Sequence, residues 1–237
     1  MTNLHLGEHI SQKFNQDLEA IRTSLLAMGG VVERQVADSI RALVDANSEV
    51  ARHVIHMEDD VDTREINIDE ECTKILARRQ PAASDLRLVL AVSKINLDLE
   101  RVGDEASKIA EAAIALCEQG ESPRGYVEIR HIGNGVHKMI HDALDAFARF
   151  DVELAVKVLG DDKEIDREYA TALREMMTYM MEDPRSITRI MRIIWVLRSL
   201  ERIGDHARNI SEQVIYLVKG KDVRHISVND VKQKMSE

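Results

Sequence analysis

The chain is short of residues that punctuate and of residues that build sheets. Its 237 residues include three Pro and eleven Gly, with only three Phe, four Tyr and one Trp. Sheet proteins need Gly and Pro at many turns and aromatic or β-branched residues in their strands. An all-β fold is therefore excluded, and long helices with few connections are expected. The two cysteines, Cys72 and Cys117, form no CxxC and no Cys/His cluster. That excludes a disulfide framework and a zinc finger, suits a reducing cytoplasm, and leaves both as small core residues. No apolar run nears the roughly 18 residues of a membrane span. The best candidate, IIWVL at 193–197, is closed off by Arg192 and Arg198. The first residues, MTNLHLGEHISQKFNQ, carry no basic region followed by an apolar core, so no secretory signal is read there. GxGxxG, Walker A, GxSxG and HExxH are all missing. Positive charge is scarce too: 32 Lys+Arg face 42 Asp+Glu, a net charge of −10. Non-specific nucleic-acid binding needs the opposite.

What is present is helical periodicity. Val32, Val36, Ile40, Leu43 and Val44 make one stripe, Leu86, Val89, Leu90, Val92, Ile95 and Leu99 a second, and Ile190, Ile193, Ile194, Leu197 and Leu200 a third. Turns are read at Asn47-Ser48, with Ser48 as N-cap, and at Pro81 to Asp85. Further turns are read at Asp151 and at Pro184 to Ser186, and Lys219-Gly220 ends the last helix. Residues 120–125 (GESPRG) form the one Gly/Pro-rich linker. The Met-rich stretch Met176, Met177, Met180 and Met181 reads as core.

The turn pattern repeats across the linker. At an offset of 104, Val32, Asp38, Ala42, Glu49, Ala51, Val54 and Asp62 recur as Val136, Asp142, Ala146, Glu153, Ala155, Val158 and Asp166. At an offset of 101, LER-GD-A at 99–106 recurs at 200–207. The fold class is therefore all-α: two tandem, similar three-helix bundles, six helices produced by internal duplication. The expected divisions are 1–120, 121–220 and a polar, loosely ordered tail at 221–237.

The repeat carries a pattern of acids. Glu100/Asp104 and Glu201/Asp205 are four apart, as are Glu58/Asp62 and Asp162/Asp166 on the preceding helices. Residues i and i+4 share a helix face, and like charges there cost roughly 0.2–0.5 kcal/mol per pair. A chain that uses this arrangement twice is expected to hold cations between the pairs. Carboxylate oxygens suit hard or borderline ions: Mg, Mn, Ca or Fe, one multinuclear site per half. Glu111 and Glu212 fall on the same face eleven residues on, and Asp38 and Asp142 repeat on the first helices as candidate outer ligands. Arg101 and Arg202, beside the glutamates, are read as supporting groups. Gly103 and Gly204 are read as points of close helix approach. A ferritin-like di-iron site needs two Glu-x-x-His motifs, and only Glu128-Ile-Arg-His131 fits. His206 has no counterpart in the first half, where Glu105 stands. Arg185, Arg189 and Arg192 make a basic face suited to an acidic partner.

LERVGDEASKIAE, LERIGDHARNISE and RQPAASDLR resemble the PhoU family over nearly the whole chain. That resemblance implies the six-helix fold and metal binding at the eight acids named above. It implies a cytoplasmic, often dimeric regulator that is not an enzyme and has no catalytic residues. Such a regulator represses the phosphate-starvation response and limits phosphate uptake. Its implied partners are the ATPase subunit of the phosphate ABC transporter and the phosphate-sensing histidine kinase, with the membrane reached only through partners. A divalent-metal phosphohydrolase and a metal-storage bundle are the alternatives. The sequence offers no identifiable base for the first.

Overall fold

The computed structural model describes residues 12–118, 126–224, 226–228 and 230–231; the linker at 120–125 lies outside them. Six α-helices follow one another: α1 (Gln12–Val44), α2 (Ser48–Arg79), α3 (Ala83–Glu118), α4 (Tyr126–Arg149), α5 (Val152–Glu182) and α6 (Ile187–Lys219). A 3-10 turn at Pro184–Ser186 precedes α6.

The ends have local causes. Asn47, rather than Ser48, caps α2: its side chain accepts from the N–H groups of Glu49 and Val50, both at 3.1 Å. The correction is one residue, because the capping oxygen sits on the residue before the first helical turn. Asp151 does the same for α5, accepting from the Leu154 N–H at 3.0 Å. Gly220, at φ 66°, ends α6 in the left-handed conformation, its N–H bonded to Tyr216 O.

Helices α1, α3, α6 and α4 form a closed ring of neighbours, while α2 packs only on α1 and α3, and α5 only on α4 and α6. The body is thus an α3–α6 layer stacked on an α1–α4 layer, with one outer helix on each flank. The duplication becomes a pseudo-two-fold symmetry. Gly29 of α1 meets Leu144 of α4, and Gly133 of α4 meets Ile40 of α1. Under the offset of 104 these two contacts exchange. In the other layer, Arg87 reaches Leu217 O and Asp98 reaches His206, so α3 and α6 run antiparallel. That register puts the axis beside Val102 and Ile203, both fully buried.

Three expectations are corrected here. Of the Met-rich stretch, only Met176 is core; Met177 and Met181 are exposed, because α5 lies on the flank and buries one stripe. The tail is not wholly loose, since Val223 and Val231 are buried beyond α6. Gly204 is not a forced close approach. A Cβ there would meet its nearest neighbours at an ordinary 3.7 Å, whereas at Gly103 it would come within 3.2 Å of Gln35 Oε1. Gln35 cannot easily give way, because its Nε2 donates to Val54 O and lies 3.2 Å from Ser107 Oγ.

These distances set opposite outcomes for one substitution. Gly204→Ala should raise unfolding stability by about 0.5–1 kcal/mol through helix propensity. Gly133→Ala, where three Ile40 carbons would stand 3.0–3.1 Å from the new Cβ, should lower it by about 1–3 kcal/mol. Urea denaturation followed by circular dichroism measures both; equal shifts would contradict the packing described.

Candidate metal centres

The acids lie in the two outer seams, α2 against α3 and α5 against α6. Two polar contacts set the register of the first. Asn96 donates to Glu65 O and Ser93 to Asp69, each at 2.9 Å. Continuing that antiparallel register brings Asp62 level with Glu100 and Glu58 level with Asp104. The second seam follows by symmetry, and Arg208 of α6 reaches Asp162 of α5 at 3.4 Å.

Asp62 and Asp166 are exposed and Glu58 is half-buried, whereas Glu100, Asp104, Asp162, Glu201 and Asp205 ionise at a cost. Burial raises Glu100 above the usual carboxylate range, and Asp104, Asp62 and Glu65 add repulsion. Asp104 is raised by burial and by Asp62 and Glu105, with Lys108 and Arg202 opposing. In the second seam, Glu201 and Asp205 are raised by burial and by each other's cluster, Asp166 included. Asp162, only 3% exposed, is pushed up to about 6 by burial and by Asp166 and Asp205, against the pull of Arg208. One oxygen has no partner: Glu201 Oε2 is buried without a hydrogen bond, while Oε1 accepts from Arg198 at 2.7 Å. Among the described residues, no three or more His, Cys, Asp or Glu side chains already enclose a point where an ion could be held. Each seam is an open carboxylate face.

The supporting residues separate. Glu111 is exposed, while Glu212 is buried and bound by Arg208 at 3.3 Å. Asp38 pairs with Arg41 on its own helix. Asp142, held below the usual range by Lys138 and Lys157 despite burial, also has its counter-charges on α4 and α5. Neither Asp joins a seam. Arg101 is exposed beside Glu100. Arg202 crosses between the halves to Glu105 at 2.8 Å. His206 is turned to Asp98, 2.8 Å away. His131 of the lone Glu-x-x-His lies 3.1 Å from Glu168 on α5, two residues beyond Asp166. Cys72 is buried, its thiol pushed up to about 12 by burial and by Asp69 and Glu71, as an inert core thiol should be. Cys117 is half-buried.

A search for repeated residues misses three groups. Glu65 adjoins the first cluster, and burial, Asp69 and Asp62 raise it, yet its counterpart is Tyr169. Arg198 and Arg208 serve the second cluster, yet their counterparts are Leu97 and Ser107. Their signal was the helical spacing to the acids, i−3 from Glu201 and i+3 from Asp205, not the repeat.

A raised carboxyl makes the native state bind a proton that the unfolded chain has released. For Asp162, stability is therefore fully present below its ordinary value near 3.8 and is lost as pH rises through about 6. The metal-free protein should lose stability between about pH 4 and pH 6, in the range of ~1–3 kcal/mol from this group. Asp162→Asn should flatten that slope and stabilise the metal-free protein at pH 7. Urea titrations at several pH values, with chelator present, test this; an unchanged slope would remove the burial argument for Asp162.

Comparison with known proteins places this geometry. The family model described as PhoU domain matches residues 25–113 and again residues 129–214, once in each half. A phosphate-specific transport system accessory protein PhoU homolog of Pseudomonas aeruginosa is 64% identical over 97% of this chain and 95% of its own. The protein named phosphate-specific transport system accessory protein PhoU of Escherichia coli K12 is 45% identical over 98% of this chain and 95% of its own. The crystal structure of PhoU from Pseudomonas aeruginosa superposes with a TM-score of 0.86 at 65% identity, covering 88% of this chain and all of that one. That of the phosphate transport system regulatory protein PhoU from Streptococcus pneumoniae gives 0.81 at 28% identity, covering 89% and 99%. With both halves matched and the full length of its relatives spanned, the chain belongs to the PhoU family.

Proposed function

We propose that this chain is a metal-binding regulatory adaptor of phosphate transport. In this reading it represses the phosphate-starvation response and limits uptake by linking the transporter's ATPase subunit to the phosphate-sensing histidine kinase. The transport role follows the names of its relatives, which are accessory proteins of the phosphate-specific transport system. A cytoplasmic, dimeric protein that meets the membrane through those partners completes the reading. No described helix is long and apolar enough to cross a membrane.

The metal reading rests on one observation above the others: carboxylates repelling one another in partly buried seams, with Glu201 Oε2 buried and unpartnered. Glu58, Asp62, Glu100 and Asp104 would hold ions in the first seam, and Asp162, Asp166, Glu201 and Asp205 in the second. Oxygen-only donors fit Mg, Mn, Ca or Fe. A bound cation would add positive charge among these carboxylates and favour their ionised forms. The two seams should differ in affinity. Arg208 and Arg198 already hold one oxygen each of Asp162 and Glu201 in the second and would repel an ion there, whereas the corresponding positions of the first are Leu97 and Ser107.

Two measurements test the reading. Elemental analysis after dialysis against Mn²⁺ should find metal in the wild type. The quadruple variant Glu100→Gln, Asp104→Asn, Glu201→Gln, Asp205→Asn should lose it with helix content preserved; unchanged metal content would reject the site assignment. A phosphate-starvation reporter in high phosphate should be derepressed by the same variant. Wild-type repression there would separate signalling from the metal centres.

A further inference from the structure

A second group of metal-ligating side chains stands in the crevice between α1 and α4, away from both acid seams. Glu33 Oε1 of α1 lies 2.9 Å from His141 Nδ1 and 3.7 Å from His137 Nε2, both on α4. His137 and His141 are four residues apart and so share one face of that helix. The contacts of Gly29 with Leu144 and of Gly133 with Ile40 bracket the group, which puts it beside the pseudo-two-fold axis. Under the offset of 104, Glu33 and His137 are each other's counterparts, and His141 corresponds to Ala37. Faithful duplication would have set like against like here. Instead the crevice holds one carboxylate and two imidazoles, with a nitrogen of each ring turned to the same oxygen. One imidazole is enough to satisfy that oxygen by a hydrogen bond, and the second, at 3.7 Å, is beyond hydrogen-bond reach. Fixed positive charge is committed elsewhere: Asp142 holds Lys138, and Asp38 holds Arg41. Arg34, next to Glu33 in the chain, is exposed and turned about 100° around α1.

We propose that Glu33, His137 and His141 form a further metal site, for a borderline divalent ion of the zinc class. Two imidazole nitrogens and one carboxylate oxygen suit Zn²⁺, whereas the oxygen-only seams suit harder ions. Three protein ligands would leave a fourth position for water. A tetrahedral ion with bonds of about 2.0–2.2 Å sets its ligand atoms about 3.3–3.5 Å apart. The observed separations, 2.9 and 3.7 Å, fall on either side of that spacing. Among the described residues, no three such side chains enclose a point for an ion as they stand. Closing this one takes a small swing of His141 off the carboxylate and of His137 toward it. Packing does not oppose either swing, because the two side chains are 60% and 37% exposed. The bound ion would tie α1 to α4, and so one half of the chain to the other. It shares no residue with the seams and stands or falls apart from them.

Co²⁺ is the probe, because a tetrahedral nitrogen–oxygen site gives it strong visible absorption and six-coordinate oxygen sites give it weak absorption. Full-length protein, freed of metal by chelator, is titrated with Co²⁺ and then with Zn²⁺. One equivalent of Co²⁺ per chain should develop strong bands, and Zn²⁺ should remove them. His137→Gln, His141→Gln and Glu33→Gln should each weaken Co²⁺ binding at least about ten-fold. None of the three side chains is buried, so folding should survive, with circular dichroism as the check. The seam variant Glu100→Gln, Asp104→Asn, Glu201→Gln, Asp205→Asn should keep the bands. Absence of strong bands in the wild type, or bands of wild-type strength and affinity in both histidine variants, would overturn the site. Bands lost in the seam variant and kept in the histidine variants would overturn it too, by moving the ion to the seams. Mn²⁺ content of the histidine variants should stay at the wild-type level, so loss of this site is distinct from failure of the seam reading.

Discussion

The antiparallel packing of α3 on α6 is the constraint from which the rest of the molecule follows. The two helices are copies, so they meet about a two-fold axis, and residues near Val102 and Ile203 see their own counterparts across it. Ordinary duplication would leave identical charges facing each other there. Arg101 and Arg202 keep one charge in both copies beside the axis, and the halves diverge about one turn away, at one repeat position. Glu105 stands in one copy and His206 in the other. Glu105 takes Arg202 and Lys108, and His206 takes Asp98, which also accepts from Asn209 at 3.2 Å. Each buried polar group has a hydrogen-bonding partner, as burial demands. The halves are therefore complementary to each other rather than to themselves, which favours pairing of one half with the other over pairing of two copies of the same half.

With α3 and α6 fixed back to back, their remaining faces are committed. The sides toward α1 and α4 must be apolar, and the flanks must meet α2 and α5. The acid pairs sit on those flanks, from exposed Asp62 and Asp166 through half-buried Glu100, Asp104, Glu201 and Asp205 to buried Asp162. This position is what makes them chemically interesting. On a fully solvated face the same carboxylates would repel only weakly, screened by water and salt. In the seams they are partly desolvated, and Glu100, Asp104, Glu201 and Asp205 all resist ionisation for that reason first. Net charge, which at first excludes nucleic acid, is thus spent where a cation could relieve it.

Much of this was legible in the sequence because helices advertise themselves by period and duplications by offset. The LER-GD-A repeat placed Glu100, Asp104, Glu201 and Asp205 on equivalent faces, and the turns at Asn47, Pro81, Asp151 and Gly220 fell where the helices end. What was not legible is pairwise and long-range. Nothing local to Arg202 says that it reaches Glu105 rather than its neighbouring glutamate. Nothing local to Gly204 says that its neighbours stand off at 3.7 Å while those of Gly103 crowd in. Repetition itself misled in one respect. It selects residues the halves share, so it passed over Glu65, Arg198 and Arg208, which make the two clusters different.

That difference bears on how such a molecule could report a state. Two identical clusters would fill and empty together, and the chain would be symmetric whether loaded or bare. Here the second cluster has arginines of its own, and one of them, Arg198, is exposed on the face of α6 that also carries Trp195. In the proposed metal reading, an ion arriving at Glu201 would share that carboxylate with Arg198, which holds Oε1 and leaves Oε2 free. A guanidinium released from that carboxylate is more available to an acidic group outside the protein, and one bound to it is less so. Under that reading, occupancy of the second seam would change the charge that Arg198 presents to the outside, through one shared side chain. The first seam, with Leu97 at the equivalent position, has no such lever. The asymmetry between the halves, rather than their likeness, is what would let one chain couple an ion to a partner.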